Sequence, residues 1–444
     1  MDGNNVPEPP QPGVPAPALF PVNGTMATSS SVGDLNGHPQ MFDRSFSNLA
    51  LPMNGAQSGL LATAPTHIST DEIALYDRQI RLWGMQVQEK LRQANILLIG
   101  IRGLGAEIAK NLVLAGIGTL TILDHEIIAE EDLGTQFFLN QTQIGQNRAE
   151  ATLPELQKLN PRVRLFTDPN PVVLKDPVYF QAFDIIIATD LMMDVMTLVN
   201  MSCRQFGRKF YSAATHGMFG YIFADLMIHQ FIVEKPQSNK PPKQGDMETS
   251  TRRVMELKSR RENEKITDII AYQETYSLFQ LANMSPLGSR EKSSRRKLMR
   301  VTPLLSCLRA LFDFQSQSEG RLPGPNRVDL ELFTKLAKQK HMELELPEET
   351  LRADFLRSFL QNLGSEISPV VAFLGGFLAQ DVINVLGQKE PPLQNFLVFD
   401  GEDFAATQFS LHPNNDDAVS MMNANGGVSM MPGLMPTANP VPAA

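Results

Sequence analysis

Three glycines, Gly100, Gly103 and Gly105, lie between the apolar run Asn95-Ile96-Leu97-Leu98-Ile99 and residues 106–115, which read as a helix. Glycines where a strand turns into a helix permit a tight turn and close approach of a phosphate, and the first helical turn attracts the anion. A second apolar run, 118–123, ends in Asp124, where an acid can hydrogen-bond a ribose hydroxyl. The chemistry that suits this frame is nucleotide binding. The spacing nevertheless departs from G-x-G-x-x-G, because Arg102 stands where the second glycine would be. Its side chain either obstructs a phosphate or contacts one. The pattern supports a βαβ fold, but the degenerate loop Gly100, Gly103, Gly105 with Asp124 is not by itself a secure cofactor site. Asp124 is expected to cap or hydrogen-bond locally.

Other reactive side chains are scarce. Cys203 and Cys307 are the only cysteines, each in a stretch of helical pattern and neither beside a histidine or basic motif. Buried, inert thiols are the expectation for both. Two cysteines exclude a disulfide scaffold, and also a cysteine-built zinc site unless histidines supply most ligands; no metal site is expected. His216, before Gly217, could line a cleft but reads as a locally satisfied loop histidine.

The elements that would position these residues follow from periodicity and composition. Apolar residues Ile73, Tyr76, Ile80 and Trp83 recur at helical spacing over 71–93. Further strands are expected at 163–166, 184–189, 209–212, 221–224 and 395–400, and helices at 192–205 and 369–386. Strands alternating with helices predict an α/β, Rossmann-like domain with a mostly parallel sheet. Residues 1–66 hold ten prolines, seven glycines and one basic side chain, Arg44, and cannot bury enough surface to order themselves. The stretch 412–444, with five methionines between Met421 and Met435, has the same character and reads as a solvated tail. Between these disordered tails, 67–235 and 367–411 form the α/β domain, and 236–366 a linker with a small helical insertion. The insertion's helices are expected at 301–314 and 351–363. Within it, 251–300 carries twelve basic and six acidic residues, read as solvated helix faces, with a nuclear import signal as the competing reading. The 444-residue chain has a formal charge of −9, which argues against nucleic acid as the main partner. No apolar run of membrane-spanning length and no basic leader stand out, so a soluble intracellular protein is expected.

A resemblance sharpens this. Tyr76-Asp77-Arg78-Gln79-Ile80-Arg81-Leu82-Trp83-Gly84 and the Gly100–Asn111 segment resemble the ThiF/MoeB-type activating enzymes of ubiquitin-like proteins, in particular their smaller, non-thioester subunits of the SUMO-activating class. The likeness extends through Leu123-Asp124-His125-Glu126, Gln136-Phe137, Asn147-Arg148-Ala149-Glu150, Gly375–Gln380 and Phe399-Asp400-Gly401. In that family two ThiF-like halves pair pseudo-symmetrically, and one carries the competent adenylation site. The resemblance implies a regulatory subunit in obligate complex with a larger ThiF-like partner that carries the catalytic cysteine. ATP and Mg would be bound mainly by that partner, SUMO would be engaged transiently, and the complex would be nuclear and also cytoplasmic. Where the competent half has cations and amides, this chain offers Asp132, Thr135, Arg148, and Asp190 followed by Leu191, with no arginine after Asp190 until Arg204. Adenylation depends on positioned cations, so this half is not expected to adenylate alone. Arg78 matches the family arginine that reaches in trans to the partner's ATP phosphates. Its local alternative is an ion pair with Asp77 or Glu72. The competing functions are an NAD(P)-dependent Rossmann oxidoreductase, and the same kind of subunit for another modifier.

Overall fold

The computed structural model describes residues 68–262, 265–288 and 292–413. The expected tail at 1–66 lies outside them, as does 414–444. The start of the expected C-terminal tail is corrected: His412 belongs to the fold, with Nδ1 2.7 Å from Ser277 Oγ and Nε2 2.6 Å from Gln394 Nε2.

An eight-stranded sheet organises the chain, in the order β11-β10-β6-β5-β4-β1-β2-β3. Its parallel part comprises β1 (Asn95–Ile99), β2 (Thr119–Leu123), β3 (Arg164–Asp168), β4 (Ile185–Thr189) and β5 (Lys209–His216). An antiparallel flank is added by β6 (Phe219–Asp225), β10 (Phe396–Asp400) and β11 (Ala405–Phe409). The central strands are apolar on both faces because both are covered. Ile96 and Leu98 of β1 join one core with Val87, Leu112, Val371 and Leu378. Leu97 and Ile99 point to the other, with Met196, Cys203 and Leu308.

Helices cover both faces. On one lie α3 (Met85–Gln93), α4 (Gly103–Ala115), α5 (Arg148–Leu159) and, late in the chain, α12 (Ser368–Gly387). On the other lie α6 (Met193–Gln205) and α9 (Leu304–Gln317). By length and composition α12 could cross a membrane, with mean hydropathy 1.7, which corrects the expectation that no such segment exists. Here it is a core helix: Val370, Val371, Leu374, Leu378 and Val382 are buried, and its Asp381 accepts a 2.7 Å hydrogen bond from Tyr211.

The expected 71–93 helix is three: α1 (Thr70–Leu75), α2 (Asp77–Trp83) and α3. Gly84, at φ +90°, makes the second break. At the first, Tyr76 is buried and its hydroxyl accepts from Asn160, fastening the helices to the domain.

The insertion is not all helical. β7 (Ile228–Pro236), β8 (Arg252–Glu262) and β9 (Lys265–Thr275) form an antiparallel sheet in the order β7-β9-β8. The first half of the basic stretch read as helix faces is therefore an edge strand and its neighbour. Phe231, Val254, Ile270 and Tyr272 supply their buried face. The remaining insertion is helical: α7 (Phe279–Met284), α8 (Arg295–Leu298), α9, α10 (Arg327–Glu343) and α11 (Ala353–Asn362). Arg295 of the basic triplet pairs with Glu349 at 2.9 Å.

Candidate functional site

The order β3-β2-β1-β4-β5 reverses direction between β1 and β4, and a cleft of about 700 Å³ opens at the carboxyl ends of these strands. This is where ligands bind in open α/β sheets. Gly100, Arg102, Asp124, Asp132, Arg148, Thr189 and Asp190 all line it. The degenerate loop thus sits where its sequence frame placed it.

Two of its glycines have structural reasons that involve no ligand. Gly100 takes φ +86°, and a Cβ there would sit 2.6 Å from Thr189 Oγ1. A Cβ on Gly105 would be 2.3 Å from the Gly100 carbonyl oxygen, so close packing of helix on strand demands glycine. Asp124 is engaged locally. Its carboxylate accepts from the Ile101 and Glu126 backbone N–H groups, both at 2.9 Å.

The cations of the cleft are committed. Arg102 Nε lies 3.6 Å from Asp132 and 3.9 Å from Glu366. Arg148, 7% exposed, lies between Asp124 at 3.8 Å and Asp132 at 3.6 Å. Asp190 holds a left-handed backbone, φ +53°. Its Oδ1 accepts weakly from Thr215 N at 3.4 Å, and its buried Oδ2 has no hydrogen-bond partner. Burial, with the Glu366 charge beside it, pushes its pKa up to about 7 against the pull of Arg102.

Glu366, which sequence reasoning missed, lies beside the cleft in an adjoining pocket that shares Arg102 with it. Its carboxylate accepts from Gly103 N and Leu104 N at 3.0 Å each and from Thr135 Oγ1 at 2.9 Å. No local signal marks it, since these partners are more than 230 residues distant in sequence. A triphosphate with its metal does not fit these residues: a carboxylate fills the first turn of α4, and each arginine already faces carboxylates. Among the described residues no group of three or more His, Cys, Asp or Glu side chains is arranged to hold a metal.

The remaining candidates lie elsewhere. Cys203 and Cys307 are fully buried, and burial pushes both thiols up, away from the reactive thiolate. His216, expected in a loop, is instead the buried last residue of β5, where burial and then the Arg102 charge lower its pKa to about 4. Arg204 is spent on a bidentate pair with Asp225, at 2.7 and 2.8 Å.

Arg78 does not line this cleft. It is exposed on α2, and among the described residues it has no ion-pair partner. Both carboxylates of its local alternative are taken: Asp77 pairs with Arg81 at 3.1 Å, and Glu72 with Arg92 at 3.3 Å and Arg162 at 3.7 Å. Leu82, one turn after it on α2, and Leu75, the last residue of α1, are 76% and 59% exposed.

The ThiF family model matches residues 76–420, from the start of the Tyr76 motif through the last strand. The chain belongs to the ThiF family. Among its ThiF relatives, the DNA damage tolerance protein RHC31 of Saccharomyces cerevisiae is 38% identical over 75% of this chain and 95% of its own length. SUMO-activating enzyme subunit 1 of Rattus norvegicus is 37% identical, and that of Homo sapiens 36%, each over 75% of this chain and 93% of its own. The resemblance carried by the Tyr76 and Gly100 segments is therefore correct. So is the α/β fold it implied, and with it a relationship to components of ubiquitin-like modifier activation.

Proposed function

We propose that this chain is the smaller, non-thioester subunit of a heterodimeric SUMO-activating enzyme, and that it lends Arg78 to the adenylation site of a larger partner. Relatives named SUMO-activating enzyme subunit 1, matched over nearly their whole length, support the assembly. The observation that carries the role of Arg78 is its isolation: exposed, outside the lining of its own cleft, and with Asp77 and Glu72 held by other cations.

In the proposed reaction a carboxylate oxygen at the C-terminus of SUMO attacks the α-phosphorus of ATP held by the partner. The bond to the β-phosphate oxygen breaks, releasing pyrophosphate and leaving an acyl adenylate. The partner's cysteine thiolate then takes the acyl group and releases AMP. Arg78 contributes a planar cation that can bridge two phosphate oxygens as negative charge builds on the leaving pyrophosphate. The burial of Cys203 and Cys307 is consistent with a borrowed thiol. The complex is proposed to work in the nucleus and also in the cytoplasm.

The test is a reconstituted complex carrying Arg78→Ala, assayed for ATP–pyrophosphate exchange in the presence of SUMO. It should assemble with its partner as the wild type does and lose exchange. Unchanged exchange would remove Arg78 from the chemistry and leave the chain a scaffold.

A further inference from the structure

The disagreement between the nucleotide frame and the side chains that fill it has a specific form. We infer that Glu366 is a built-in occupant of the phosphate seat at the start of α4, closing it to phosphate-bearing ligands and fastening the entry of α12 to the glycine loop.

The donor set is the one that seats phosphate oxygens: two successive backbone N–H groups of a helix first turn, a hydroxyl, and an arginine at the rim. Gly103 N and Leu104 N each donate to one carboxylate oxygen of Glu366, and Thr135 Oγ1 donates to the oxygen that Gly103 also serves. Arg102 Nε stands 3.9 Å from that same oxygen. The Glu366 side chain is 3% exposed, so the contact is not a passing one.

The loop is shaped around this carboxylate. A Cβ on Gly103 would meet Thr135 Oγ1 at 2.6 Å and Glu366 Oε2 at 2.9 Å, so Thr135 first and the carboxylate it serves second leave room only for glycine. One further observation points to a seat built for an anion, and another to its closure. The Nε of Arg148, buried in the cleft wall, has no hydrogen-bond partner. With Asp132 and Asp190 lining the same cleft, a phosphate arriving beside Glu366 would meet three carboxylates.

Glu366 also ties distant parts of the chain together. It sits two residues before α12, the helix packed along α4. Sealing the seat and docking the returning helix are one contact.

The inference concerns this chain's own cleft and stands or falls apart from the role of Arg78. The test is thermal unfolding of the full chain with inorganic phosphate, against sodium chloride of equal ionic strength. The wild-type midpoint should not respond to phosphate beyond the chloride control. Glu366→Ala should unfold several degrees lower and recover part of that loss in phosphate but not in chloride, because ligand binding to the folded state raises its stability. Glu366→Gln, which keeps the shape and removes the charge, should show a smaller loss. Phosphorus NMR titration of Glu366→Ala should detect phosphate binding that the wild type lacks and that Glu366→Gln, whose amide still fills the seat, shows only weakly. Phosphate-specific stabilisation of the wild type would overturn the inference. So would a Glu366→Ala protein that phosphate fails to restore, or a Glu366→Gln protein that binds phosphate as tightly as Glu366→Ala.

Discussion

Arg102 and Arg78 stand only 24 positions apart in sequence and meet opposite fates. Arg102 enters the cleft of its own chain and faces Asp132 and Glu366. Arg78 stays outside, on a short exposed helix whose other charges are already paired. The difference lies in carboxylate supply rather than in the arginines. A guanidinium held by buried carboxylates has little positive potential left for a ligand, whereas one without a local partner can offer its full charge to an incoming phosphate. The fold thus neutralises its own cleft and leaves exposed the one motif arginine that could serve another.

The largest effect should come from breaking the free side of this pair. Arg78→Ala in the reconstituted complex should lower adenylate formation by about 10³-fold, the scale of an arginine supplied in trans. Arg78→Lys should recover only part, because an ammonium is a point charge without the bidentate fork. Pyrophosphate exchange measured side by side would sharpen the distinction: full recovery by lysine would mean that charge alone matters.

The neutralised side should fail differently, through stability. Arg148→Met removes the cation between Asp124 and Asp132, leaving buried Asp124 without one and Asp132 with Arg102 alone. The expected cost is about 3 kcal/mol, because breaking a buried pair exposes the surviving charge to its desolvation penalty. Urea unfolding of the chain would measure it; a change near zero would mean that the cleft carboxylates are not held by their arginines.

A smaller effect should appear with pH. Asp190 has its pKa raised to about 7 by burial and by Glu366. In the unfolded chain an aspartate ionises near pH 3.9. Between these values the folded state binds more protons than the unfolded one, so this residue makes stability fall as pH rises through that window. Asp190→Asn should flatten the decline, gaining most relative to wild type above pH 7 and least near pH 4. Urea midpoints across this range would give the slope, and identical slopes would place the Asp190 charge elsewhere in the balance.

How much of this was legible in the sequence depended on how local each signal was. The β1–α4 frame and Asp124 were readable because strand, turn, helix and terminal acid lie within about 30 residues, the span of a βαβ unit. The strands of the insertion were not. Their buried face is thin, Phe231, Val254, Ile270 and Tyr272, and a bulge between Val254 and Glu256 interrupts the alternation along a strand crowded with arginine and lysine. Arg102 was visible but ambiguous, since one residue type can either block or bind phosphate. Glu366 decided between those outcomes. It is invisible locally, because its meaning arises only when α12 folds back across the sheet onto α4.

The smallest effect tests the surroundings of Arg78. A guanidinium that enters a partner's site must carry its flanking surface to the interface, so Leu75 and Leu82 cannot remain as exposed as they are in this chain by itself. Leu82, one helical turn after Arg78 and 76% exposed, has little packing to lose within its own subunit. Leu82→Ala should therefore leave the unfolding free energy of the chain within about 0.5 kcal/mol, as surface substitutions do. Covering and then truncating such a side chain at an interface is worth about 1.5 kcal/mol, close to a tenfold loss of affinity. Titration calorimetry of the two subunits would measure that loss. An unchanged affinity would separate Arg78 from the interface, and the contrast with Arg102 would then rest on carboxylate supply alone.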